Sequence, residues 1–214
     1  MSIVKEALAP CCKCGGQEKI KIYRSINTSD NPELRERVMN GSLFIWECPL
    51  CGQRNLARYE TLYHDPERKL MAWILPDGAV SAAQLQAVSN QARAMGNYTL
   101  RLVDDMGSLM EKVLINDAGL SDVALEMCKY VTKMEIASKD RENASEIMSS
   151  HMHFYKVEGD VITFMYAFQG SMTGVNVGMN VYEDSLGIIR RNPSVQPEEG
   201  FQKIDSDWLL ARMK

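Results

Sequence analysis

Cys48-Pro49-Leu50-Cys51-Gly52 is the stretch that decides how the N-terminal part of this sequence folds. A related stretch, Cys11-Cys12-Lys13-Cys14-Gly15, stands upstream of it. Each contains a Cys-x-x-Cys pair followed by glycine, and this spacing brings two sulfur atoms to the same side of a tight turn. Two such turns together supply four thiolates, which is the donor set of a closed zinc site.

The predicted metal ligands are Cys11, Cys14, Cys48 and Cys51. Cys12 is the alternative in the first turn, but it would leave a single residue between the two ligands, so we favour Cys11. Protein would occupy all four coordination positions and leave none for water, which argues for a structural metal rather than a catalytic one. Because binding gathers and deprotonates the ligands, we expect metal loss to loosen residues 1–76.

The insert between the two turns is long. Its 33 residues exceed the about 15–20 that are typical of paired Cys-x-x-Cys sites. Its first part alternates isoleucine with lysine, which predicts a half-buried strand. A capping-box pattern at Asp30 and Glu33, with Gly41 as a terminator, predicts a helix over about 31–40. A strand, a helix and a second strand would bring the two ends of the insert back together.

Residues 43–47 and 56–59 are rich in strand-forming side chains and flank the second cysteine turn, so we predict a β-hairpin there. A further short strand ends at Pro76-Asp77-Gly78, which is a strong turn signal. We place a boundary at this turn, between a zinc-ribbon-like module over 1–76 and a mixed helix and strand region over 77–214. The second region is either a separate domain or a continuation of the first domain.

The second region combines helical and strand patterns. Ser81 with Gln84 forms a capping box before an amphipathic segment, and alternating apolar residues later in the region predict strands. The predicted helices are at 81–95, from 108 to 115, within 117–136 starting at Ser121, and near 208–210. Residues 137–150 are predicted as a linker, with a continued solvated helix as the alternative. The predicted strands are at 99–103 and across 151–182, where 154–157 forms a hairpin with 161–166 and a further strand covers 175–182. The whole pattern predicts an α+β fold with a C-terminal β-hairpin sheet.

Further motifs accompany the paired cysteine turns. Ser25-Ile26-Asn27 and Asn31-Pro32-Glu33-Leu34 lie between the turns, and Leu62-Tyr63-His64-Asp65-Pro66 follows them. This combination resembles that of bacterial and archaeal CpXC-domain proteins, and the likeness covers most of residues 11–136. The resemblance implies metal-binding cysteines but no established reaction. Cys12 stands where the first turn of the family has proline, which affects the rigidity of that turn rather than its ligands.

Composition narrows the class of protein. The 24 Lys and Arg against 28 Asp and Glu give a net charge of −4, which argues against the strongly basic surface of a nucleic-acid binder. No apolar run approaches the about 18 residues that a membrane span requires. Lys5 and Glu6 lie where the apolar core of a secretory signal would be, so we expect a cytoplasmic protein. In that compartment its six cysteines are expected to be thiols or metal ligands rather than disulfides.

Four other side chains are weaker candidates. His151 and His153 are spaced to share one strand face, as a half-site for a second metal or, the favoured interpretation, as ordinary surface histidines. Cys128 is interpreted as a small buried apolar residue rather than a nucleophile. His64 is interpreted as part of a turn, with a contact to the metal site as the alternative.

Three functions remain as hypotheses. The first is a structural zinc site that supports interaction with a protein partner or a regulatory role. The second is an enzyme or small-molecule binder whose C-terminal region uses a pocket with His151, His153 and Tyr166. The third is thiol redox chemistry at the Cys-x-x-Cys pairs. The sequence contains no phosphate-binding loop, nucleophile elbow or zincin motif, so it names no catalytic residue.

Overall fold

Residues 1–76 and 80–213 are described by the computed structural model, and their strands and helices confirm the predicted α+β class. The strands are β1 (Ile3–Pro10), β2 (Gln17–Asn27), β3 (Ile45–Glu47), β4 (Arg54–Leu56), β5 (Thr61–Asp65), β6 (Leu70–Ile74), β7 (Thr99–Val103), β8 (Met152–Glu158), β9 (Val161–Phe168) and β10 (Ser171–Gly178). The helices are α1 (Pro32–Met39), α2 (Ala82–Ala94), α3 (Met106–Asp117), α4 (Asp122–Lys139), α5 (Ala144–Ser149), α6 (Met179–Arg191) and α7 (Ser206–Arg212), with a short 3-10 helix at Pro193–Val195. None of the helices in this part of the chain is both long enough and apolar enough to cross a membrane.

The chain forms two compact units, Met1–Met110 and Glu111–Lys214. The sequence predicts the boundary earlier, after residue 76. The difference arises because β7 pairs in parallel with β6 and continues the sheet of the first unit. The helix α2, which connects these two strands, therefore belongs to the first unit as well. The predicted turn at Pro76-Asp77-Gly78 reaches into residues 77–79, which lie outside the described residues.

The first unit contains a five-stranded mixed sheet with the order β1-β2-β5-β6-β7. β6 is buried along its whole length because its sequence is a continuous apolar run, as expected of a strand covered on both faces. α1 buries Leu34 and Val38, which share one face of the helix. β3 and β4 form a separate hairpin at the predicted place, although β4 occupies 54–56 rather than 56–59.

Some local predictions in the first unit are wrong. The pattern does not predict β1, because both faces of this strand are largely exposed and its sequence has no clear alternation. It also misses β5, where the polar residues Thr61 and Asp65 occupy buried positions. His64 therefore lies in a strand and not in a turn. Asn31 rather than Asp30 stands at the N-cap of α1, and no side chain there closes a capping box.

The second unit contains a three-stranded antiparallel sheet with the order β10-β9-β8. Its β8–β9 pair confirms the predicted hairpin. An apolar cluster joins one face of this sheet to α4 through side chains such as Phe154, Phe164 and Leu125. α4 begins at the predicted place, directly after Ser121, whose hydroxyl caps the helix by accepting a hydrogen bond from the Ala124 amide at 3.3 Å.

Three boundaries in the C-terminal half differ from the prediction. β10 ends before Met179, where α6 begins, so the predicted strand at 175–182 is wrong over its second half. α3 begins before Ser108, because the Asp105 carboxylate accepts a hydrogen bond from the Ser108 amide at 2.7 Å. The predicted linker at 137–150 instead contains the end of α4 and all of α5.

Candidate metal centre

Each Cys-x-x-Cys pair lies at the tip of a β-hairpin. The first pair joins β1 to β2, and the second joins β3 to β4. The amide of Cys11 donates to the carbonyl of Gly16 at 2.8 Å, and the amide of Cys48 donates to the carbonyl of Gln53 at 2.9 Å. The two tips therefore share one backbone fold.

A glycine closes each tip. The amides of Gly15 and Gly52 donate to the carbonyls of Cys11 and Cys48, at 3.0 and 2.8 Å. Both glycines have a positive φ, +70° and +68°, a conformation that costs other residues roughly 1–2 kcal/mol. This conformation explains why glycine follows each cysteine pair.

The two tips bring four sulfur atoms together. The Sγ atoms of Cys11, Cys14, Cys48 and Cys51 all lie within 4.8 Å of one another. The Sγ atoms of Cys11 and Cys51 are 3.6 Å apart, and those of Cys14 and Cys48 are 3.7 Å apart. A tetrahedron whose corners lie about 2.3 Å from a central zinc has edges of about 3.8 Å, whereas a disulfide bond measures only about 2.05 Å. The cluster therefore has the dimensions of a metal site and can hold a metal ion.

The pKa values of two of these thiols move in opposite directions. Hydrogen bonds from the backbone amides of Cys14 and Lys13 lower the pKa of Cys11 to about 6, although burial opposes this shift. The amide of Gln53 acts to lower the pKa of Cys51, but burial and the neighbouring sulfurs outweigh it and raise that pKa to about 12. Four thiols this close do not all ionise unless a cation lies among them, so the donor set fits a positively charged metal.

Asn55, in the middle of β4, connects the two tips. Its Oδ1 accepts a hydrogen bond from the amide of Cys12 at 2.9 Å, and its Nδ2 donates to the carbonyl of Gln53 at 2.8 Å. The same Nδ2 donates to the Sγ of Cys11 at 3.7 Å. Asn55 is only 5% exposed, so water does not replace these bonds easily. No local sequence pattern points to Asn55, since Cys11 and Cys12, the partners that give it its role, lie more than forty positions away.

We expect Asn55→Ala to weaken metal binding without abolishing it. The substitution removes the bond to a ligand sulfur and the bridge between the tips, and loss of such a supporting partner typically costs about 10- to 100-fold in metal affinity. Competition with a chromophoric chelator measures this affinity. Gln53→Ala is the matched control, because the Gln53 side chain donates to the Arg54 carbonyl and not to a sulfur. Equal affinities in the two variants would contradict the assigned role of Asn55.

The other two cysteines lie outside the cluster. Cys12 is exposed, and it contributes its amide rather than its thiol to the site. Cys128 is buried in the second unit, as predicted, and its thiol donates to the Ser185 hydroxyl at 3.3 Å. Burial raises the pKa of Cys128, which makes this thiol a poor nucleophile.

The structure does not bring His153 and Tyr166 together. His153 pairs with Met165 across β8 and β9, and Tyr166, the next residue along, points to the opposite face of the sheet and is buried in the apolar cluster. His151 is exposed just before β8. Within residues 1–76 and 80–213, the candidate metal-binding group of three or more side chains contains neither histidine.

His153 instead belongs to a buried charge network that the sequence analysis misses. Its Nδ1 lies 3.0 Å from Oε2 of Glu111, and Oε1 of Glu111 accepts a hydrogen bond from the Phe154 amide at 2.6 Å. The ammonium of Lys129 lies 2.5 Å from Glu111 and 2.7 Å from Glu126. Glu111, Glu126 and Lys129 form a charged triad, and each of these side chains is about 5% exposed.

The charges in this triad stabilise one another. Burial acts to raise the pKa of Glu111, but attraction to Lys129 and the hydrogen bond with His153 lower it to about 2. Burial acts to lower the pKa of Lys129, but the two carboxylates outweigh it and raise that pKa. Burial raises the pKa of Glu126. The triad is therefore internally paired, since the ammonium lies within 2.7 Å of both carboxylates.

Two further lysines extend the network. Lys112 lies 3.1 Å from the carboxylate of Asp122 and donates to the carbonyl of Ile204 at 2.8 Å. Lys133 donates to the carbonyl of Met148 at 3.3 Å and also to that of Ser150. These bonds attach the C-terminal segment and α5 to the body of the second unit.

The fold and the cysteine cluster define an α+β protein with a candidate metal centre formed by two Cys-x-x-Cys hairpin tips. The family model described as CpXC protein matches residues 9–129, which include both cysteine pairs. The match spans more than half of the chain, and the chain belongs to the CpXC family. Comparison with curated proteins gives no significant match, and comparison with solved structures gives none either.

Proposed function

We propose that this protein holds one structural zinc ion in the four-cysteine cluster. The observation that carries the proposal is the close approach of the four sulfur atoms, which all lie within 4.8 Å of one another and include two pairs at 3.6 and 3.7 Å. Tetrahedral sites of four cysteines hold zinc or iron–sulfur centres, and a closed set of four thiolates is typical of structural zinc, as in zinc ribbons. Bound zinc offsets two of the four thiolate charges and fixes the two hairpin tips to each other, while Asn55 orients Cys11 and the turn beside it.

Metal analysis with thiol counting tests this proposal. Protein purified without added metal should contain about one zinc per chain, and four thiols should become reactive only after a strong chelator removes the metal. Reactive thiols or a reversible disulfide without metal would overturn the proposal and favour the redox hypothesis. Iron with sulfide in place of zinc would overturn it as well.

We infer further that the zinc-fixed tips support binding of a protein partner or a regulatory interaction. Leu50, at the second tip, is 75% exposed, and Leu8, on β1 near the first tip, is 64% exposed. Contiguous exposed apolar patches are typical of interaction surfaces, and we infer that these two leucines belong to one. Six unpaired cysteines suit a reducing compartment such as the cytoplasm.

Paired substitutions test this second part separately from the first. Leu50→Asp should retain zinc but lose partners that crosslink to the wild-type protein in cells, since it places a charge in the apolar surface. Met95→Asp, at a side chain that is 51% exposed on another part of the first unit, is the control. Identical crosslinked partners for all three proteins would contradict the interaction role and leave the zinc proposal intact.

A further inference from the structure

β10 is an exposed edge of the three-stranded sheet in the second unit. Its eight residues, Ser171–Gly178, contain no charged side chain and no proline, and its pairing with β9 has no bulge. Met172 is 62% exposed. A long edge strand without charges offers unpaired backbone groups to another strand, and proteins normally protect such edges.

The opposite edge of the same sheet is protected. β8 has a bulge between Phe154 and Lys156, and a bulge disrupts further pairing. It also carries Lys156 and Glu158, which form an ion pair at 2.8 Å. Charges and a bulge are two of the common devices that prevent strands from adding to an edge.

The edges in the first unit are protected as well. β1 has a bulge between Ile3 and Val4, carries two charged residues and ends at Pro10. β7 is five residues long and carries Arg101, and β3 and β4 have three residues each. Among the described strands, β10 is the edge that combines length with a complete lack of such devices.

The turn before β10 determines which of its backbone groups point outward. Gln169 and Gly170 both have positive φ, +48° and +73°, which is typical of a two-residue type I′ hairpin. In such a hairpin the flanking pair, Phe168 and Ser171, is hydrogen bonded, and bonded pairs then recur at every second residue. The amides and carbonyls of Met172, Gly174 and Asn176 therefore point away from β9.

We propose that β10 pairs antiparallel with β10 of a second copy of this chain, about a twofold axis at Val175. The backbone groups that point away from β9 restrict the register, because residues that carry such groups must face one another to form hydrogen bonds between the two copies. With the axis at Val175, all residues from Met172 to Gly178 find a partner. The two sheets then form one continuous six-stranded sheet, in an isologous dimer.

The side chains complement one another in this register. On the outer face Met172 lies opposite the partner's Gly178, and Asn176 lies opposite the partner's Gly174, so each larger side chain of that face meets a glycine. On the inner face Val175 meets the partner's Val175. Val175 and Val177 already pack at the margin of the apolar cluster, so the pairing extends this apolar layer across the axis. No charged group opposes another across the two strands.

Sedimentation velocity of the zinc-loaded full chain tests the proposal. As the concentration of the wild-type protein rises, its apparent mass should increase from 24.1 kDa to twice that value. Asn176→Lys places two lysines on diagonal positions beside the axis and should raise the dimer dissociation constant by roughly tenfold or more. Thr163→Lys is the matched control, because it breaks the same Thr163–Asn176 hydrogen bond and adds the same charge one strand farther from the edge.

A crosslink provides the second readout. Val175→Cys places two thiols opposite each other in a non-hydrogen-bonded pair, with Cβ atoms about 4.5–5.5 Å apart, so oxidation should give a covalent dimer above the wild-type background. Val161→Cys, at an exposed position of β9, should not. A wild-type protein that stays monomeric up to its solubility limit would overturn the proposal. A dimer that Asn176→Lys and Thr163→Lys weaken equally, or one that Val175→Cys fails to crosslink, would also overturn it.

Discussion

Cys48→Ala is expected to reduce bound zinc from about one ion per chain to almost none. Cys48 is 2% exposed and its sulfur lies 3.7 Å from that of Cys14, so its loss removes one corner of the tetrahedron. Structural zinc sites have apparent binding free energies of about 10–16 kcal/mol, and this binding is coupled to local folding. The two hairpin tips should therefore separate, and limited proteolysis should cut within residues 1–76 of the variant faster than in the wild type.

Cys12→Ala is the matched control for this experiment. Cys12 is a neighbour of the cluster, but its thiol is exposed and lies outside it. This variant should keep its zinc and its resistance to protease. If Cys12→Ala lost the metal while Cys48→Ala retained it, the choice of ligands would be wrong.

Lys129→Met is expected to lower the free energy of unfolding of the second unit by about 3–5 kcal/mol. Lys129 is buried between Glu111 and Glu126, at 2.5 and 2.7 Å, and methionine has a similar length but no charge. The substitution leaves two carboxylates close together without a cation inside the protein, and this cost greatly exceeds that of losing a surface pair. Urea unfolding followed by circular dichroism measures the change.

Two variants make this prediction specific. Lys139→Met removes an exposed lysine from the same helix, where it pairs with Glu135 at 2.6 Å, and should change stability little. Glu126→Gln combined with Lys129→Met removes one of the stranded carboxylates and should recover part of the loss. If Lys129→Met alone had the same free energy of unfolding as Lys139→Met, the buried network would not stabilise the second unit.

Local sequence patterns predict the cysteine tips and several elements well. The positions of Cys11 and Cys48 in tight turns follow from Cys-x-x-Cys-Gly spacing, because the turn is a property of a few consecutive residues. β7 and the capping box of α2 are confirmed for the same reason, since alternation and the Ser81–Gln84 pair are local signals. The four sulfurs come together where the two turns meet.

Buried polar residues are what the patterns miss. β5 is not recognised because Asp65, which is 1% exposed, stands at a position where alternation expects an apolar side chain. Its carboxylate accepts a hydrogen bond from the Tyr63 hydroxyl at 3.3 Å and lies 3.8 Å from Arg35, a partner on a different element. Such compensation depends on tertiary contacts that one sequence does not display.

The charge network of the second unit is not predicted for the same reason, because its partners come from tertiary contacts. Asp122, Glu126, Lys129 and Lys133 follow one another along one stripe of α4, a pattern that usually indicates a solvated face. Burial is possible because these charges have partners inside the protein. Glu111 forms an ion pair with Lys129, and the network also uses backbone carbonyls such as that of Ile204. Met134, seven residues after the buried Met127 on the same helix, is 49% exposed.

Zinc K-edge X-ray absorption of the protein purified without added metal tests the central claim most directly. A closed four-cysteine site predicts a first shell of four sulfur atoms at about 2.3 Å and no nitrogen or oxygen ligand. The same spectrum should persist in Cys12→Ala. A first shell that contained water or histidine nitrogen, or the absence of stoichiometric zinc, would contradict the claim that these two hairpin tips form a structural zinc site.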